Sequence, residues 1–232
     1  QRLGTGHAVA QAKNFIAAHS GGNVLILNGD APLIDKKTIE DALAFHVGNG
    51  NSATVISARV PDPTGYGRMV RSAEGSLERI VEQRDATEEE KLINEVNSGA
   101  YWFKCDDLLG ALDDIESMGR EKKEIYLTDA IEILLNQFKK ADAYPAETAD
   151  VILGANDRWQ LMELNEIARK RILKRHMVNG VNIPCIDGVI IAPDVEIGAD
   201  TSVLPGTIIV GKTKIGSFCT IGPNSRLEDC VV

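Results

Sequence analysis

The 232-residue sequence is defined first by what it lacks. No apolar run approaches the ~20 residues that a membrane-spanning helix needs, and no charged-then-apolar opening marks a secretory signal. Basic residues are outnumbered: 25 Lys and Arg face 34 Asp and Glu, a formal net charge of -9. That balance excludes nucleic acid as a main partner, because a phosphate backbone calls for a positive surface. A nucleotide needs only a local site and is not excluded. Cysteine is sparse, and Cys105, Cys185, Cys219 and Cys230 form no CxxC spacing and pair with no His. They read as reduced thiols of a cytoplasmic protein rather than a disulfide framework or a zinc site. The four histidines, His7, His19, His46 and His176, are scattered in the sequence and build no metal or nucleophile motif.

What is present divides into two patterns. From Ile191 an aliphatic residue recurs every sixth position: Ile191, Ile197, Val203, Ile209, Ile215, Ile221 and Leu227. Four residues after each comes a small or β-branched residue or a cysteine: Val195, Thr201, Thr207, Thr213, Cys219, Ser225 and Val231. An α-helix has no period of six. A triangular coil does, with one hexapeptide per flat face, the aliphatic residue turned inward and Gly at corners. The pattern predicts a left-handed parallel β-helix, about three hexapeptides to a coil. An open end of such a helix leaves strand edges that more chain or a partner must cover.

Before the repeat, strand-like and helix-like stretches alternate, the α/β signature. A helix is expected from near Gly6 to His19. A strand buried on both faces is expected at Val24–Leu27, because the run is continuously apolar. A helix follows at 38–46, a strand at 53–60, a hairpin at 68–71 and 76–82, a strand at 100–103, a helix at 129–138 with Thr128 as N-cap, and a late strand at 141–144. A long helix from Asn156 to about Arg175, with Leu161, Leu164, Ala168 and Ile172 on one face and cations crowding its end, reads as a connecting arm. The expected domains are 1–155, 156–180 for the arm, and 181–232 for the repeat.

Candidate chemistry sits at strand ends and in loops. Asn28-Gly29-Asp30 follows the first apolar run, where open α/β sheets bind ligands, and Asp30 is equally a ligand for a hard cation or a turn residue. Pro63-Thr64-Gly65-Tyr66-Gly67-Arg68 is a glycine-punctuated loop. Glu82 ends one strand and Asn97 precedes another, so a carboxylate and an amide could bracket a sugar. Asn156 stands at a helix start, where capping is the ordinary role.

In order, LGTGHA (3–8), NGDAPLI (28–34), DPTGYGR (62–68), IVEQRDAT (80–87), EVNSG (95–99), IYLTD (125–129), GANDR (154–158) and then the hexapeptides match one family. The chain resembles the bacterial bifunctional N-acetylglucosamine-1-phosphate uridylyltransferase/glucosamine-1-phosphate acetyltransferases over nearly its whole length. The resemblance implies a Rossmann-like α/β nucleotidyltransferase domain, a helical arm and the β-helix. It implies a magnesium ion (Mg2+) on Asp30 and Asn156, uridine at Gly4 and Thr5, and the N-acetylglucosamine moiety at Gly67, Glu82, Asn97, Tyr126 and Thr128. Arg2 stands where the family commonly has a Gln near the uracil.

The implied substrates are UTP and N-acetylglucosamine-1-phosphate, and the implied product is UDP-N-acetylglucosamine for peptidoglycan and lipopolysaccharide precursors. For the full-length parent, acetyl-CoA and glucosamine-1-phosphate are added, with a cytoplasmic homotrimer expected. The family's first strand and glycine-rich triphosphate loop would precede Gln1, and its acetyltransferase coils would follow Val232. Residues 1–232 alone are therefore expected to show no acetyl transfer and little uridylyl transfer. Two other readings were open: a nucleotidyltransferase for another sugar or base, which the Glu82 and Asn97 pair argues against, and a non-catalytic assembly subunit, which the retained Asp30 and Asn156 argue against.

Overall fold

The computed structural model describes residues 3–118 and 125–232; Arg2 lies outside them. The chain divides into two compact units, 1–154 and 155–232.

The first unit is a sheet covered by helices. Its elements are α1 (Thr5–Ala10), α2 (Lys13–Ala17), β1 (Asn23–Ile26), α3 (Lys36–Gly48), β2 (Ala53–Arg59), β3 (Arg68–Arg71), β4 (Leu77–Val81), β5 (Glu95–Lys104), α4 (Cys105–Met118), α5 (Thr128–Asn136) and β6 (Ala141–Pro145). The strand order is β4-β3-β5-β2-β6, with β1 also on β5. The sheet is mixed: β2 and β6 are parallel, whereas β5 runs antiparallel to β1, β2 and β3. Val55, Phe103, Leu108, Leu112, Ile131 and Leu134 build the core between the sheet and α4 and α5. A second cluster, with Ala42, Ile56, Ala58 and Val96, packs α3 against the sheet. Asp35 caps α3 by accepting from Thr38 N at 2.8 Å, and Thr38, Ala42 and His46 make its buried face at four-residue steps.

Several local expectations are corrected. The first helix is two short ones, separated at Gln11 and Ala12. β1 is not buried on both faces: its residues are exposed to half-buried, because among the described residues it pairs only with β5. β5 begins five residues before Ala100, and α4 was not anticipated. Thr128 is the first residue of α5 rather than its cap; Asp129 Oδ2 instead accepts from Tyr126 N at 3.2 Å.

The second unit holds α6 (Arg158–Val178) and the short strands β7 (Ile190–Ile191), β8 (Glu196–Ile197), β9 (Ser202–Val203), β10 (Ile208–Val210), β11 (Lys214–Ile215), β12 (Thr220–Ile221) and β13 (Arg226–Glu228). Pairing is parallel at an 18-residue step, Ile190 with Ile208 and Ile208 with Arg226, Glu196 with Lys214, Ser202 with Thr220. Three hexapeptides therefore make one coil, as the left-handed parallel β-helix requires. Ile191, Val203, Ile209, Ile215 and Ile221 are buried on the axis, and so are Thr201, Thr207 and Thr213. One corner repeats at the same step through Gly188, Gly206 and Asn224, all at positive φ. A Cβ on Gly206 would overlap Asn224 Oδ1, so the stacked corner admits no side chain there.

α6 packs on the first coil through Leu173, and its buried residues are Leu164, Leu173 and His176, whereas Leu161 is exposed. Its cations do more than suit the helix dipole. Arg169 bonds Glu166 and donates to the carbonyls of Ile186 and Val189 at 3.0 and 3.2 Å, and Arg175 donates to Pro193 O at 2.8 Å. The four cysteines are unpaired thiols. No helix among the described residues is long and apolar enough to cross a membrane.

Candidate active site

The site follows from strand register. Arg68 of β3 pairs with Val81 of β4 on one side and Val96 of β5 on the other. Antiparallel counting then sets Gly67 beside both Glu82 and Asn97. The contacts agree: Asn97 N donates to Gly67 O at 2.9 Å, and a Cβ on Gly67 would lie 3.5 Å from both carboxylate oxygens of Glu82. Three residues separated by 30 positions of sequence thus meet because two neighbouring strands share one partner.

β1 and β3 occupy the same edge of β5, at Tyr101–Lys104 and Val96 respectively. Between them β5 bulges: Ile56 of β2 pairs with Ala100 and Ser57 with Asn97, leaving Ser98 and Gly99 extra. Ser98 Oγ donates to Ile56 O at 2.7 Å and accepts from Ala100 N at 3.2 Å, which ties the bulge down. Gly99 adopts φ 78° and its Cα faces the Asn28 side-chain amide, which would overlap any Cβ there. Asn28 lies just beyond β1 and two residues before Asp30, so the bulge connects the Asp30 turn with Asn97.

The bulge also orients Asn97. Its Oδ1 accepts from Gly99 N at 2.9 Å and its Nδ2 donates to Tyr101 Oη at 2.7 Å. The backbone donor fixes which end of the amide is oxygen, and the second N–H has no hydrogen-bond partner among the described residues. Tyr101 is buried, and burial together with the negative charge of Glu82 raises its phenol well above the usual range. Burial likewise raises the Glu82 carboxyl; Asp85 and Asp129 act in the same direction, while Arg84 and a hydrogen bond from Thr128 oppose them.

Residues 3–6 and 125–127 run together. Ile125 N donates to Leu3 O at 2.8 Å, Gly6 N to Ile125 O at 2.9 Å, and Leu127 N to Thr5 Oγ1 at 3.0 Å. Gly4 sits at φ 97° pressed on Ile125, where a Cβ would clash with backbone. Gly4 and Thr5 are thereby joined to the segment carrying Tyr126 and Thr128.

Arg68, expected only as part of a glycine-rich loop, is buried, donates to Tyr66 O and reaches Gln83 Oε1 at 2.6 Å. Gly65 N donates to the same oxygen at 3.0 Å. This latch holds the loop against the segment after β4. Tyr101, Arg84 and Asp129 also belong to the constellation and are not singled out by the sequence, whereas Asn28 enters there only as part of the turn that carries Asp30. No spacing rule pointed to them, since their roles depend on register and on the bulge.

Asp30 is exposed, and a Cβ on Gly154 would come within 3.5 Å of its carbonyl oxygen. Asn156 belongs to the second unit. It does not cap α6: Asp157 does, accepting from Gln160 N at 2.8 Å. No cluster of three or more His, Cys, Asp or Glu suited to a metal exists among the described residues. A lone exposed carboxylate suits a cation that keeps most of its shell for water and phosphate oxygens.

The nucleotidyl transferase family model matches residues 1–160, and the bacterial transferase hexapeptide model (six repeats) matches residues 194–229. The chain is 52% identical over 232 residues to the bifunctional protein GlmU of Acetivibrio thermocellus, covering all of this chain and 50% of that protein. It is 50% identical over 228 residues to the bifunctional protein GlmU of Thermoanaerobacter pseudethanolicus, covering 98% of this chain and 49% of that one. The chain thus spans about half the length of these curated relatives. Among solved structures, a Bacillus anthracis chain assigned as a glucose-1-phosphate thymidylyltransferase, crystallised with sucrose, superposes with a TM-score of 0.55 at 17% identity. It covers 73% of this chain and 62% of its own length, a likeness of fold.

Proposed function

The chain belongs to the nucleotidyl transferase family, and from there we propose that it carries the uridylyl-transfer site of a bifunctional sugar-phosphate enzyme. The reaction moves UMP from UTP to N-acetylglucosamine-1-phosphate, giving UDP-N-acetylglucosamine and pyrophosphate. The observation that carries this reading is the meeting of Gly67, Glu82 and Asn97 at neighbouring strand ends. Such a grouping suits an acetamido sugar. Glu82 accepts from hydroxyls, Asn97 offers an oriented amide, and Gly67 leaves open the space beside Glu82 that a side chain would fill.

The nucleophile is a phosphate oxygen that is already anionic, so no general base is required. The difficulty is to bring two anions into line, which is a task of positioning and charge. Magnesium, when bound, supplies the positive charge that offsets the phosphates. Asp30 offers its carboxylate from the first unit, and Asn156 is kept as a proposed ligand on its motif alone. Gly4 and Thr5 are proposed for the uridine, and Tyr126 for the sugar with Thr128. For the full-length parent we extend the proposal to acetyl transfer from acetyl-CoA to glucosamine-1-phosphate on further β-helix coils, a homotrimer, and cytoplasmic supply of cell-wall precursors.

The test is magnesium-dependent turnover in the full-length parent carrying Asp30→Ala. The loss should be on the order of 100-fold or more, as for comparable electrostatic contacts, with the thermal transition unchanged. Undiminished turnover would remove Asp30 from the site.

A further inference from the structure

Arg84 lies two residues beyond Glu82 in the segment that leaves β4. Its Nη2 donates to Tyr126 Oη at 2.6 Å, and its Cζ stands 5.2 Å from the centre of the Tyr126 ring. Its Nε is 3.5 Å from Asp85. The segment 82–85 is therefore tied to the segment 126–129 by Arg84 and Tyr126. The Arg84 side chain is 63% exposed, and contacts so open to water contribute little to stability. Its value must be sought in what it holds.

Around Glu82 the negative groups predominate: Asp85 on its own segment and Asp129 on α5, with the Tyr101 phenol on β5 also within its influence. Arg84 is a cation that acts on it, from two residues away. We propose that Arg84 is a positioning residue for the sugar pocket, pinning Tyr126 to the segment that carries Glu82 and supplying the positive charge that offsets the surrounding carboxylates. The inference rests on the reading of this pocket as the sugar site. A consequence concerns pH. Burial, Asp85 and Asp129 favour the protonated Glu82, and Arg84 and Thr128 oppose them. Loss of Arg84 therefore moves the acidic limb of activity to higher pH.

The test uses Arg84→Met, Arg84→Lys, Tyr126→Phe and the Arg84→Met/Tyr126→Phe pair in the full-length parent, with N-acetylglucosamine-1-phosphate and UTP varied separately. Arg84→Met should raise KM for the sugar phosphate about tenfold, as for a charge-assisted hydrogen bond, with kcat and the UTP KM little changed. It should also move the acidic limb of kcat/KM upward, and Arg84→Lys should restore that limb without restoring KM fully. At a pH above the acidic limb, where Glu82 is ionised in every variant, Arg84→Met should add less than about twofold to KM in the Tyr126→Phe background, because the contact it breaks is already gone. A wild-type KM and acidic limb in Arg84→Met would overturn the proposal. So would an undiminished loss in the Tyr126→Phe background, which would make Arg84 a substrate contact. Failure of the unsubstituted parent to use the sugar phosphate would instead sink the sugar-site reading.

Discussion

Gly67 O accepts from Asn97 N at 2.9 Å, and this single bond joins two segments that lie 30 positions apart in the sequence. It exists because β3 and β4 lie on one side of β5 with Arg68 opposite both Val81 and Val96. The absence of a side chain at Gly67 matters as much as the bond, since a methyl group would meet Ile80 Cγ2 at 3.3 Å and both Glu82 oxygens at 3.5 Å. Gly67→Ala should therefore raise KM for the sugar phosphate more than KM for UTP while the unfolding temperature stays near wild type. Equal changes for both substrates would show that Gly67 does not border the sugar.

Arg71 and Glu95 form an ion pair with Arg71 Nη2 at 2.7 Å from Glu95 Oε1, in a network with Ser57 and Asp142. Glu95 is buried, and its bonds from Arg71 and Ser57 hold its carboxyl below the usual range against the effect of burial. Arg71→Met leaves that carboxylate without its main partner and should cost about 3 kcal/mol. Urea unfolding measures it, and a midpoint equal to wild type would refute the pair's role.

His46 is fully buried, with Nδ1 2.9 Å from Thr54 Oγ1 and Nε2 3.1 Å from Asn23 Oδ1. An arrangement in which Nε2–H donates to Asn23 and Thr54 donates to Nδ1 needs the neutral ring. Burial first, then the charge of Lys104, lowers its pKa to about 4. The unfolded chain then binds one more proton than the folded one between about pH 6.5 and pH 4, so this group makes stability fall as pH falls through that window. The slope is about 1.4 kcal/mol per pH unit. The difference between wild type and His46→Gln cancels the carboxylates common to both and should show it. An imidazole resonance that titrates near 6.5 would contradict the account.

Gly206 and Gly21 have nearly the same positive φ, 73° and 76°, but Gly206 faces Asn224 whereas Gly21 faces open space. Gly21→Ala should cost about 1 kcal/mol from the conformation alone. Gly206→Ala should cost clearly more, at least about 2 kcal/mol, because the β-helix corner must also move. Thermal unfolding of the pair separates strain from crowding, and equal losses would mean that the corner yields freely.

The β-helix was legible because a period of six is enforced by every coil, and the 18-residue register confirms it residue by residue. Most of the α/β order was legible for the same reason, that each strand and helix declares its own apolar pattern. What escaped depends on non-local facts. Glu95–Gly99 was placed ahead of a strand that begins at Ala100, because Asn, Ser and Gly weaken a strand pattern, yet the strand already starts at Glu95 and continues past them through a bulge. α4 begins with Cys105, Asp106 and Asp107 and contains Gly110, which masked the buried steps at Leu108, Ala111, Leu112 and Ile115. β1 looked doubly buried because apolarity was taken for burial. Glu82 and Asn97 were legible as a carboxylate and an amide at strand ends and Gly67 as part of a glycine-punctuated loop, but the place where all three meet, and the parts played by Tyr101 and Arg84, follow only from the register.

The central claim is that Asn97, held by Gly99 and Tyr101, reads the acetamido group of the sugar. The direct measurement is the ratio of kcat/KM for N-acetylglucosamine-1-phosphate to that for glucose-1-phosphate, in the full-length parent and in Asn97→Ala. The account predicts that the ratio falls by roughly 5- to 150-fold, the equivalent of one buried amide hydrogen bond at about 1–3 kcal/mol. An unchanged ratio, with both substrates affected alike, would contradict it.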